Sequence, residues 1–131
     1  MSINIGIKGR SDTVVTAQNT ADAIGSGLVP VFATPYMIAL MENAAAGALL
    51  PYLAEDEGSV GIHLNVSHDA ATPIGMKVWA EAEVTAVDGK KITFSVSAFD
   101  KSGPIGKGTH ERFIIKPEKF LAKVQAKLNN N

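Results

Sequence analysis

Cysteine is absent from the 131 residues, which excludes disulfides, thiolate metal sites and a cysteine nucleophile. A charge excess of either sign is missing too. Twelve basic residues face thirteen acidic ones, with no block of like charge. A phosphate-tracking nucleic-acid surface and a polybasic membrane anchor are therefore not expected. No apolar run reaches the roughly 18 residues that a membrane span needs. The opening segment MSINIGIKGRSD lacks the continuous apolar stretch of a secretory signal, so a cytoplasmic protein is expected. Asn65-Val66-Ser67 fits the glycosylation acceptor pattern but carries no weight without a secretory route. What is present is an ordinary apolar fraction of 46%, enough to build a core and to exclude intrinsic disorder. The length predicts one domain over residues 1–131.

Residues 2–9 read as a short strand with Ile3, Ile5 and Ile7 on one face, and residues 13–17 as a weak second strand. Residues 18–33, with Gly25, Gly27 and Pro30, read as a loop that holds at most a helical turn. The one long helical pattern runs from Thr34, a favoured N-cap, through Pro35 at the first helical position to Leu50, where Pro51 stops it. It is apolar nearly all round, which predicts a buried helix, and Ala44, Ala45, Ala46, Gly47 and Ala48 permit close approach of another backbone. Alternation then predicts strands over residues 60–68, 77–87, 91–99 and 105–116, with a hairpin at Asp88-Gly89 and a turn at Gly103-Pro104. An amphipathic helix over residues 117–128 closes the chain, with Phe120, Val124 and Leu128 on one side. Antiparallel strands and one buried helix give an α+β domain whose sheet wraps around that helix. One such sheet leaves a face and its edges uncovered, so a homodimer is expected.

Three residues invite a chemical reading. Glu42 stands inside the apolar helix, where a carboxylate is costly unless protonated or hydrogen-bonded. It is either a surface-facing acid beside Asn43 or a functional group. His68 continues the series Val60, Ile62, Leu64, Val66, which points it at the helix. It is either a core-edge imidazole held by a carbonyl or a partner for Glu42. Thr34 is either an N-cap or part of an oxyanion-binding helix terminus. Thr34 and Glu42 are eight residues apart, about 12 Å along a helix axis, so one small substrate reaches both only if two chains contribute. His63 faces away from His68, and His110 falls in a distant strand, so no metal site is expected. The stretch Gly103–Thr109 fails the phosphate-loop spacing and reads as turn and bulge. Lys116, Lys119, Lys123 and Lys127 read as a solvated helix face, with contact to an anionic ligand tail as the alternative.

Taken together, the order of segments resembles the hotdog-fold acyl-CoA thioesterases, and among them the fluoroacetyl-CoA thioesterase type. The resemblance rests on Val31-Phe32-Ala33-Thr34, Leu40-Met41-Glu42, Gly58-Ser59-Val60-Gly61, the run from Val66 through His68-x-Ala70-x-Thr72 to Gly75, and Gly106-Lys107-Gly108-Thr109-His110-Glu111-Arg112. It covers roughly residues 30–125. It implies a hotdog fold, a homodimer with sites between subunits, and hydrolysis of a small acyl-CoA thioester without metal or other cofactor. It implies Thr34, Glu42 and His68 as catalytic residues and Gly61 and Arg112 as substrate-binding ones. Residues 21–30 are rich in glycine and small side chains where that type builds an apolar lid, and Asn43 stands where it carries a large aromatic. Fluorine selectivity is therefore not carried over. Two rival readings share the fold: a non-catalytic acyl-CoA-binding module, and a hydratase or dehydratase. Release of free thiol separates hydrolysis from both.

Overall fold

The computed structural model describes residues 2–130. Five strands, β1 (Lys8–Val14), β2 (Gly58–His68), β3 (Lys77–Asp88), β4 (Lys91–Asp100) and β5 (Gly103–Ile115), form one antiparallel sheet in the order β1-β3-β4-β5-β2. The helices are α1 (Ala21–Ile24), α2 (Thr34–Leu49) and α3 (Pro117–Gln125), with 3-10 turns at Leu50–Tyr52 and Ala126–Asn130. The expected α+β layering holds. The inner faces of β3 (Val78, Ala80, Ala82, Val84) and β4 (Ile92, Phe94, Val96, Ala98) are buried against α2 residues Met37, Leu40, Met41, Ala44, Ala45, Ala48 and Leu49.

Helix α2 lies mainly over β1 and β3. Its small residues serve the close approach that their size allows. A Cβ on Gly9 of β1 would run into the Ala44 carbonyl and come within 2.8 Å of Ala48 Cβ. The helix is not buried all round, however. Ala39, Asn43 and Gly47 form an exposed stripe, with Ile38, Glu42 and Ala46 half-buried beside it. One sheet covers one face of a helix, and the uncovered face here is mostly alanine and glycine, with Asn43 and the partly exposed Glu42 its polar members.

Other expectations need correction. The N-terminal strand is β1 alone, and residues 2–7 precede it. Ile3 and Ile7 pack on the core while Ile5 is exposed. Ala33, not Thr34, occupies the cap position of α2, and the helix start has no side-chain cap bond. The face of β2 switches part-way. Gly61 pairs with Arg112 and His63 with Glu111, so Ile62 is an extra residue in a bulge. Directly opposed residues share a face, so Ser59, Gly61, Leu64, Val66 and His68 point inward while Val60 and Ile62 do not. His110 is not remote, because β5 is the neighbour of β2 and His110 pairs with Leu64. The glycine-rich stretch is turn and bulge as read: the β4–β5 register shifts beside Ile105. Helix α3 ends at Gln125, and Phe120, Val124 and Leu128 remain exposed.

Candidate active site

Two loops bring the first pair of site residues together. The segment before α2 is tied to the segment after β2: Phe32 N–H donates to the Thr72 carbonyl (2.9 Å), and Val31 bridges Pro73. The second segment is pinned in turn. Asp69 N–H donates to the Ile105 carbonyl (2.6 Å), and the buried Thr72 hydroxyl donates to Asp100 Oδ2 (2.7 Å). Thr34 and His68, 34 residues apart in sequence, are thereby set with Oγ1 and Nδ1 2.7 Å apart. The Thr34 hydroxyl that seemed destined for a cap is used on the imidazole. His68 Nε2 is buried and has no hydrogen-bond partner among the described residues. Burial pushes the His68 pKa below its ordinary value, which favours the neutral ring. A cavity of about 220 Å³ lies here, lined by Thr34, His68, Asp69, Ala70 and neighbours from residues 21–32.

The α2 terminus offers less to an oxyanion than a free helix start would. Pro35 has no N–H, and the Tyr36 and Met37 N–H groups both donate to the Ala33 carbonyl.

The second cluster lies two turns along α2. Glu42 Oε2 is 3.6 Å from Arg112 Nη1, an ion pair rather than a hydrogen bond. Arg112 is itself buried. Its Nε donates to Ser59 Oγ (2.9 Å), its Nη2 to the Ser59 carbonyl (3.0 Å), and its Nη1 lies 3.1 Å from His110 Nε2. Burial lowers the Arg112 pKa, and Glu42 opposes that fall. His110 is fully buried and its Nδ1 is 2.9 Å from the His63 carbonyl, an acceptor only, so Nδ1 carries the proton. Gly61 is the gap through which these groups meet. A Cβ there would collide with Glu42 Oε2 and sit 3.1 Å from His110 Cε1. The β2 bulge at Ile62 is what turns Gly61 inward.

Within one chain the structure thus joins Thr34 to His68, and Glu42 to Arg112 across Gly61. It does not join Glu42 to His68. Sequence reasoning missed Ser59 and His110 in the second cluster. Their signal was the spacing of two between His110 and Arg112, which puts both on one strand face. Among the described residues no group of three or more His, Asp or Glu side chains is placed to hold a metal ion, and no helix is long and apolar enough to cross a membrane.

Comparison with known proteins gives consistent results. The family model described as fluoroacetyl-CoA-specific thioesterase matches residues 15–118. The fluoroacetyl-CoA thioesterase of Streptantibioticus cattleyicolor is 50% identical over 97 residues, covering 74% of this chain and 70% of that protein. A solved structure of the fluoroacetyl-CoA thioesterase FlK superposes with a TM-score of 0.91 at 40% identity, covering 97% of this chain and 98% of the other. A thioesterase-superfamily member from Thermus thermophilus superposes at 0.88 with 30% identity, covering 99% and 98% of the two chains.

Proposed function

Because the chain belongs to the fluoroacetyl-CoA-specific thioesterase family, we propose that it is a thioester hydrolase that cleaves a small acyl-CoA into the free acid and CoA. The observation that carries this reading is the Thr34–His68 pair at its cavity, with a buried Nε2 still free to act. If the Thr34 hydroxyl donates to Nδ1, Nε2 holds the ring proton and faces an incoming group. That is the proton a departing CoA thiolate needs.

Glu42 supplies the attack in this reading. Its carboxylate either adds to the thioester carbonyl, expelling thiolate and leaving a mixed anhydride that water then opens, or takes a proton from a water that adds directly. Arg112 keeps a positive charge beside the acid, and Gly61, lacking a Cβ, leaves room for the carboxylate itself. Nothing in either route calls for a metal or a redox cofactor.

The working unit is a homodimer with each site drawing on both chains. Two features support it. β2 is an edge strand with Ile62 half exposed, open to a second copy along its whole free side. Glu42 and the Thr34–His68 pair lie two helical turns apart within a chain, too far for one carbonyl group. The proposed setting is the cytoplasm, in keeping with a fold that needs no disulfide.

The test is a thiol-release assay across short, branched and aromatic acyl-CoAs. Free thiol in step with acid formation is the expected result. Binding without thiol would make the protein a carrier, and a change in C=C absorbance without thiol would make it a hydratase or dehydratase.

A further inference from the structure

Arg112 and Glu42 lie within ion-pair distance but do not form a hydrogen-bonded salt bridge. The guanidinium approaches the carboxylate through Nη1 alone, at 3.6 Å, where a hydrogen-bonded arginine–carboxylate contact lies near 2.8 Å. The reason is visible on the other side of the guanidinium. Ser59 takes Nε and Nη2 through its hydroxyl and carbonyl, and His110 Nε2 accepts from Nη1. His110 is able to accept because its own Nδ1 proton is committed to the His63 carbonyl. It is fixed in the plane by Phe94, stacked 6.1 Å away. The charges acting on His110 are Arg112 and Glu111 from β5 and Glu42 from α2. Burial together with Arg112 works against its protonation, and protonation would replace the acceptor by a second donor facing Nη1.

We propose that His110 is a positioning residue whose Nε2 holds Arg112 back from Glu42, so that the carboxylate keeps its lone pairs for the reaction. A carboxylate hydrogen-bonded to Nη1 is a poorer nucleophile and base than one that merely feels the charge. The fold solves this by giving Nη1 a neutral acceptor in competition with the acid. This rests on the thioesterase reading for its kinetic consequence, but its geometric consequence stands apart from turnover.

The test uses the full chain with His110→Leu, which fills similar space without an acceptor, and His110→Gln, whose amide oxygen can stand near the Nε2 position. With His110→Leu, kcat falls about tenfold while KM for acyl-CoA stays within about twofold. His110→Gln recovers kcat to within about threefold of the parent. A packing role predicts the reverse, with the apolar leucine tolerated and the polar glutamine not, and that order overturns the proposal. A crystal structure of His110→Leu gives the readout independent of activity: Nη1 closes to about 2.9 Å from a Glu42 oxygen. Nη1 remaining at its parental distance overturns the proposal. If His110→Leu does not fold, Ser59→Ala releases Nε while the backbone carbonyl of residue 59 keeps Nη2, which loosens the guanidinium towards Glu42; a smaller fall in kcat at unchanged KM supports the proposal, and unchanged kcat overturns it. Should the parent release no thiol from any acyl-CoA, the function reading fails, while the crystallographic distance still decides this inference.

Discussion

Helix α2 carries Thr34 and Glu42 two turns apart, and the fold answers them in different ways. Thr34, at the helix start, meets a neutral imidazole held by loops: residues 31–33 and 69–73 are joined by the Phe32–Thr72 hydrogen bond, and Thr72 is pinned to the end of β4 through Asp100. Glu42, mid-helix, meets a buried guanidinium held by the sheet, through β5 alternation and the β2 bulge. The first pair is neutral and sits at the ends of α2 and β2, tied by loops; the second is charged and joins mid-helix to mid-strand. Disturbing the first should therefore change chemistry with little effect on folding. Disturbing the second should change both, unless the replacement keeps shape and polarity.

Glu42→Gln is the largest expected effect. It keeps the shape and removes the charge, so turnover falls by about three orders of magnitude while the melting temperature moves by only a few degrees. Near-normal turnover removes Glu42 from the mechanism and with it the charged end of the comparison. Gly61→Ala comes next. Its Cβ meets the movable end of Glu42 and tightens on the His110 ring, so it should push the carboxylate aside and lower turnover, at a cost of about 1 kcal/mol in chemical denaturation. An unchanged denaturation midpoint would mean that the gap is looser than described. Thr34→Ala sharpens the contrast from the other end. It should lower turnover about tenfold with the melting temperature intact, and Thr34→Ser should retain activity, because the hydroxyl serves His68 and no cap. A loss of about 1 kcal/mol of stability would restore the capping role.

The smallest effect is on pH dependence. Burial depresses the pKa of both His68 and His110, so the fold prefers their neutral rings. The unfolded chain takes up these protons first as pH falls through about 6.5. Stability is then complete above that value and declines below it, towards the lower folded-state values. Thermal melts between about pH 8 and about pH 5 should show this decline, with a shallower slope for His110→Gln. An identical slope in that variant would show that the buried imidazole contributes nothing to the linkage.

Sequence alternation revealed the inner faces of β3 and β4 because the β3 register shift falls after Val84, beyond the buried residues of that strand. It failed on β2 because the bulge at Ile62 adds one residue, and a one-residue shift moves every side chain upstream to the opposite face. Gly61 therefore came from resemblance rather than from pattern. Local reasoning offered Thr34 as a cap or an oxyanion-binding terminus, since nothing near it in sequence announces an imidazole 34 residues on; only the resemblance set it beside His68. The partnership of His110 and Arg112 with Glu42 depended on β5 lying next to β2, a pairing between strands that are not consecutive in the chain. Ala39 and Gly47 of the exposed helix stripe were read as buried because small residues carry no polar signal, whereas Asn43 was left open as a surface neighbour of Glu42.

The central claim is that Glu42 of one chain and the Thr34–His68 pair of another act on the same thioester. The direct measurement is complementation between two inactive variants, Glu42→Gln and His68→Ala, unfolded together in equal amounts and refolded. Half of randomly paired dimers would be hybrids, each with one intact site, so about a quarter of the parental thiol release should return. No recovery beyond the two variants alone, with hybrids demonstrated by mass, would contradict a site shared between chains.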